Sequence, residues 1–127
     1  DMDDLNILND KYGHAVGDIA LKSLSKLLKD QTRIEDIVCR FGGDEFFIIL
    51  HNADEQMASA RLQEWSKRAQ DILIVHEGMH LPISFSAGIA SYLVYQSIEE
   101  IIQVADRAMY EIKAKKKQKV QNRFTAN

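Results

Sequence analysis

Two short β-rich runs, Ile37–Phe41 and Glu45–Leu50, stand either side of Gly42-Gly43-Asp44, and this pattern restricts the fold more than any other in the chain. β-branched and aromatic residues favour strands, and glycines supply the positive φ that a tight connection needs. The segment predicts a β-hairpin that carries Asp44 and Glu45 at its turn.

Helical patterns surround it. Leu5 to Tyr12 reads as a short helix after an acidic start. Val16, Ile19, Ala20, Leu24, Leu27 and Leu28 recur at helical spacing and predict a second helix over about Val16–Lys29. Asn52 followed by Glu55 is a capping-box pattern, opening a third helix that runs to about Ile74. Ile83–Ala90 alternates apolar with small or polar residues, as a strand with one buried face does. Ser97 and Glu100 make another capping box. Ile101, Ile102, Ala105, Ala108, Met109 and Ile112 then form the apolar stripe of a last helix over about Ile98–Lys116. Helix, helix, hairpin, helix, strand, helix implies an α/β (α+β) domain with a largely antiparallel sheet and helices packed over it.

The 127 residues suit one domain, 1–127, and 46% hydrophobic residues suffice for a core without disulfide or structural metal. Cys39 is the only cysteine, which excludes an internal disulfide and fits a reducing compartment. It reads as a small buried residue on a strand. Trp65 reads as core packing. No apolar run approaches the ~18–20 residues of a membrane helix. A formal net charge of −3 predicts no general attraction to nucleic acid. The lysines at 113, 115, 116, 117 and 119 read as a solvated charge run.

Asp1, Asp3 and Asp4 form one acidic cluster, and Asp44 with Glu45 forms another. Carboxylates brought together suit Mg²⁺, which takes hard oxygen ligands and keeps contacts to substrate phosphates. Acids on a glycine turn also let the backbone approach a phosphate closely. An isolated Gly-Gly-Asp-Glu is nevertheless most simply a solvated turn.

Its neighbourhood changes that reading. Asn9-Asp10-Lys11-Tyr12-Gly13-His14 with Gly17-Asp18, Arg40–Phe46, Ser84–Ala90 and Ala105–Lys113 together resemble the four sequence blocks of GGDEF domains, in their order and over nearly the whole chain. The resemblance implies a palm-like nucleotidyl cyclase fold and diguanylate cyclase chemistry. Two GTP molecules are condensed into cyclic di-GMP with release of pyrophosphate, each subunit of a homodimer supplying one half-site. Asp44 and Glu45 match the catalytic acids. Asp1, the Met2 carbonyl, Asp44 and Glu45 match the metal site, with Mg²⁺ expected and Mn²⁺ as its substitute. Asn9 and Asp18 match the guanine-reading pair. Gly42 and Gly43 match the phosphate-side turn, and Lys113 with Lys117 the triphosphate contacts. His14 matches a structural turn residue rather than a base or ligand. Arg33-Ile34-Glu35-Asp36, ending five residues before Phe41, resembles the R-x-x-D site at which the cyclic dinucleotide product inhibits.

The chemistry of these residue types agrees. A carboxylate accepts from guanine N1–H and its 2-amino group, and so discriminates against adenine. Arginine binds phosphate bidentately and stacks on purines.

The chain departs from the family pattern at named places. Leu5-Asn6 stands where Phe-Lys is usual, removing a phosphate-facing lysine. Lys116 and Lys117 replace Gly and Arg, so Lys117 offers charge without a planar fork. Asn122-Arg123-Phe124 resembles the usual ending displaced by about four residues, as a lengthened helix would place it. The resemblance also implies that the family's first strand and its preceding helix lie ahead of Asp1, with a sensor region upstream. The domain is expected in the cytoplasm, any membrane tether lying in that upstream region, with no membrane or nucleic-acid contact of its own. Two rivals remain open at this point: a degenerate domain that binds cyclic di-GMP or GTP as a receptor, and a related palm-like enzyme making another product.

Overall fold

The computed structural model describes residues 1–93 and 97–125, with side chains as far as Lys119. The chain divides into two compact units, Asp1–Phe85 and Ser86–Asn127. The first unit holds α1 (Leu5–Tyr12), α2 (His14–Gln31), β1 (Ile37–Gly42), β2 (Glu45–Ile49), α3 (Glu55–Gln70), β3 (Leu73–His76) and β4 (Met79–Pro82). The second holds α4 (Ile98–Thr125). The fold is of the mixed helix and strand class expected.

α1 and α2 meet at Gly13, whose φ of 93° is a conformation side chains rarely adopt. Its N–H donates to the Asn9 carbonyl (2.8 Å), closing α1, and α2 starts at the next residue. The apolar spacing read for α2 is realised at Val16, Ala20, Leu24 and Leu28, which are buried together with Leu21, whereas Leu27 is half-buried and Ile19 is 51% exposed. Burying each such leucine contributes about 2 kcal/mol relative to exposure. α2 packs against α1, α3, β1 and β3. Trp65 of α3 is buried as expected and carries the Arg61 guanidinium over its ring, 5.2 Å from the centroid.

Three local expectations are corrected. The first concerns α3. Its N-cap is Asp54, which accepts from the Met57 N–H at 2.7 Å, while Asn52 sits in the preceding turn at φ 51°. The helix stops at Gln70, not near Ile74. Residues 73–76 pair antiparallel with 79–82 around a two-residue turn, Glu77-Gly78, both with positive φ. In that hairpin Ile74 and Leu81 are buried, while Leu73 and Val75 face outward. Alternate burial of this kind is a strand property, which a single apolar run did not reveal.

The second correction concerns Ile83–Ala90. Ile83 and Phe85 are buried and Ser84 is exposed, so the alternation is real at its start. Its only strand-type pairing among the described residues is one antiparallel bridge, Met2 to Phe85. The named strands accordingly form two separate two-stranded sheets rather than one continuous sheet.

The third is Cys39, which is exposed. Ile37 and Phe41 on the same strand are exposed as well. Position on a strand did not guarantee burial in a two-stranded hairpin.

In the second unit, Ser97 caps α4 as expected, its hydroxyl accepting from the Glu100 N–H at 3.2 Å. Gly88 lies against the helix so closely that a Cβ there would fall on the Ala105 carbonyl oxygen and within 2.6 Å of the Met109 nitrogen. α4 continues unbroken to Thr125, which accounts for the displaced Asn122-Arg123-Phe124. The side chains of those three residues lie outside the described ones.

Candidate active site

The hairpin forms as expected, with Arg40 opposite Phe46 and Gly42 opposite Glu45, and a register shift between Arg40 and Gly42. Gly42 takes φ 154°, and a Cβ on Gly43 would meet nothing within 4 Å. The tip is therefore open to a close approach. It is clamped from within: Arg40 donates through Nε (3.1 Å) and Nη2 (2.7 Å) to the Gly43 carbonyl. A guanidinium fork holding one carbonyl fixes both the distance and the plane of the turn.

Asp44 and Glu45 are half-buried at this tip. The Met2 N–H donates to the Asp44 carbonyl at 3.0 Å, which sets the Asp1-Met2 backbone alongside the signature turn. Met2 anchors the junction, being only 2% exposed. The other acids of the first cluster are placed differently. Asp3 accepts from the Ser84 hydroxyl (2.9 Å), and its N–H donates to the Ser84 carbonyl (2.9 Å). Asp4 is exposed and stands at the N-terminal boundary of α1 at φ 58°, with no capping hydrogen bond from its side chain. Among the described residues no group of three or more His, Cys, Asp or Glu is gathered closely enough to enclose a metal alone. Asp44 and Glu45 alone would suit Mg²⁺, which commonly takes one or two carboxylates and completes its shell with water and substrate phosphates.

Asn9 of α1 lies against α2 at Gly17, directly before Asp18. A Cβ on Gly17 would fall on the Asn9 amide oxygen and within 2.8 Å of its Cγ. That oxygen is buried and has no hydrogen-bond partner among the described residues. Asp18 is exposed on the next position of α2. The two residues proposed to read the base thus come from neighbouring helices at one contact.

A cleft of about 520 Å³ lies between α2 and the base of the hairpin, lined among others by Lys29, Arg33, Asp36 and Arg40. The Asp36 side chain has no solvent exposure. Its Oδ1 accepts from the His51 N–H (3.0 Å); its Oδ2 accepts from the Arg33 N–H (2.8 Å) and from Arg61 Nη2 (2.9 Å). Burial pushes this carboxyl up, and the bonds from His51, Arg33 and Arg61 outweigh it, leaving the pKa lowered to about 2. Asp36 is thereby bound into the protein, whereas the Arg33 side chain stands exposed.

Lys113 and Lys117 are on α4, in the second unit, with Lys113 half-buried and Lys117 exposed. His14 is exposed at the first position of α2. Two residues went unread in the sequence. Arg40 had a local signal, three positions from the glycine it clamps. Arg61 had only a partial one, Trp65 four positions on, because Asp36 lies 25 residues away.

A family model described as diguanylate cyclase, GGDEF domain, matches residues 1–119. Diguanylate cyclase A of Treponema denticola is 36% identical over 126 residues, covering 98% of this chain and 33% of that protein. The chain therefore spans about a third of that relative's length. The GGDEF domain of YfiN from Pseudomonas aeruginosa superposes with a TM-score of 0.83 at 31% identity, over 91% of this chain and 73% of that one. The GGDEF domain of DgcB from Caulobacter crescentus, solved in complex with c-di-GMP, gives a TM-score of 0.82 at 21% identity, over 90% and 68%. That last likeness concerns the fold.

Proposed function

This chain belongs to the GGDEF domain family of diguanylate cyclases, and from that premise we propose that it is one half-site of a homodimeric enzyme condensing two GTP molecules into cyclic di-GMP. One observation carries the reading: the Met2–Asp44 hydrogen bond, which sets the Asp1 segment beside the intact signature turn. Asp1, the Met2 carbonyl, Asp44 and Glu45 would hold Mg²⁺, or Mn²⁺ in its place. When bound, the ion supplies charge neutralisation at the α-phosphate and the pyrophosphate.

The chain's own residues position the reactants. Asn9 and Asp18 hold the guanine. The open Gly42-Gly43 backbone accommodates phosphate, and Lys113 with Lys117 offer cations to the triphosphate. The 3′-hydroxyl oxygen of one GTP attacks the α-phosphorus of the other. A new P–O3′ bond forms, the α–β P–O bond breaks, pyrophosphate leaves and the hydroxyl proton passes to a nearby base. Asp44 or Glu45 is suited to that proton. Repeating the step on the second GTP closes the ring, which requires two facing subunits. Most of the rate enhancement in such transfers comes from positioning and charge stabilisation.

The cleft with Lys29, Arg33 and Arg40 suits the anionic product and supports its use as an inhibitory site. It also favours a second reading, a receptor that binds cyclic di-GMP without turnover, which the missing phosphate lysine at Leu5-Asn6 would help explain. The sensor region expected upstream would set dimerisation.

Product analysis on the full-length protein with GTP and Mg²⁺, beside Asp44→Ala, decides between them. Conversion to cyclic di-GMP that the substitution abolishes supports the enzyme. Unconverted GTP, in a protein that dimerises and binds GTP, leaves the receptor.

A further inference from the structure

We propose that Gly17 is a positioning residue for base recognition: it seats the Asn9 carboxamide so that its amide nitrogen is offered to guanine. The inference rests on the proposed role of Asn9 in reading the base.

Gly17 occupies the fourth position of an 18-residue helix. A glycine there weakens a helix relative to alanine. Its backbone does not need glycine, since the positive-φ glycines are Gly13, Gly42 and Gly78. Space is the remaining reason. A Cβ at 17 would fall on the Asn9 amide oxygen, 2.8 Å from its Cγ and 3.3 Å from Leu5 Cδ1. The oxygen rests on the glycine's methylene, whose C–H groups can face an acceptor weakly but not a donor. This assigns the oxygen to the inward end and the NH₂ to the outward end. The oxygen has no other partner among the described residues, so the close seat is what fixes the carboxamide plane.

An outward NH₂ donates to the O6 and N7 acceptors of guanine. Adenine presents an amino group at the corresponding position 6, so a donor held in place there rejects it, as the Asp18 carboxylate rejects it at N1. Any side chain at 17 would push the amide off this orientation.

The test is equilibrium binding of non-hydrolysable GTP and ATP analogues to full-length protein, through a double-mutant cycle on Asn9 and Gly17. Asn9→Ala is expected to weaken the GTP analogue on the order of tenfold or more. Gly17→Ala is expected to do the same and to narrow the preference over ATP, while the thermal midpoint holds or rises because alanine is the better helix former. Adding Gly17→Ala to Asn9→Ala is expected to cost nothing more, the obstructed amide being gone. Unchanged affinity in a folded Gly17→Ala protein overturns the proposal, as do additive losses. If Gly17→Ala alone does not fold, the double variant decides. Affinity equal to that of Asn9→Ala supports the seat; a weaker or unfolded double variant rejects it. Unchanged affinity in Asn9→Ala instead removes the base-reading role and this inference with it.

Discussion

The Asp36 carboxylate, shut off from solvent, lies 2.9 Å from Nη2 of Arg61, itself only 16% exposed on its side chain, and this pair joins α3 to the base of the signature hairpin. Removing one member of such a pair leaves a buried charge uncompensated, at a cost of about 3 kcal/mol or more. Asp36→Asn is therefore expected to lower the urea midpoint strongly with no change in slope. Because the folded pKa lies below the ordinary 3.8, at about 2, this stabilisation is complete above about pH 4 and fades as pH falls toward 2. Urea titrations over that range should show wild-type stability converging on that of the variant. Parallel curves would contradict the assignment.

Arg33 separates the cleft proposed to bind the product from the fold. Its main chain builds the turn, donating to Asp36 Oδ2 and accepting from the Asp36 N–H, whereas its side chain is exposed. Arg33→Ala keeps the turn. We expect cyclic di-GMP affinity to fall about tenfold or more by calorimetry, a charge-assisted fork having been lost, with the thermal midpoint unchanged. Equal affinity would remove Arg33 from the binding site. Asp36→Ala is the poorer probe, since it disturbs folding and binding together.

Arg40→Lys tests the clamp on the turn. Lysine keeps the charge but lacks the planar pair of donors that converge on the Gly43 carbonyl oxygen. Arg40 is exposed, so stability should move by less than about 1 kcal/mol. Cyclase rate should drop on the order of tenfold, as for other small misplacements of a reacting group. A rate equal to wild type would show that the fork is dispensable.

Two glycines should behave oppositely. Gly88→Ala puts a methyl onto backbone atoms of Ala105 and Met109, which cannot rotate away, and about 3 kcal/mol of stability should go. Gly43→Ala meets open space, so its thermal midpoint should barely shift while phosphate access, and with it activity, declines. Thermal scans and rate assays on both variants check this. A stable Gly88→Ala protein would refute the packing argument.

The sequence made the helices legible where one side of a helix faces a core: the spacing of Val16, Ala20, Leu24 and Leu28 is a property of the element itself. The hairpin tip was legible for the same reason, its glycines being adjacent. The β3–β4 pair was not, because Leu73 and Val75 are apolar yet outward, which blurs the alternation that marks a strand. The site divided along the same line. Asn9 and Asp18 stood out through a motif, and Gly17 belongs to that motif through a contact between two helices that leaves no trace in local composition. Arg61 is distant in sequence from the carboxylate it serves, and pairing across 25 residues leaves no periodic trace.

Asp36 has one consequence for engineering. The carboxylate bonds residues at both open ends of the β1–β2 hairpin, Arg33 before it and His51 after it, and reaches Arg61 on a separate helix. The hairpin is therefore not a self-contained cassette. A chimera that imports residues 33–51 from a relative also has to match the residue at 61, or it inherits a buried anion with its cation left behind.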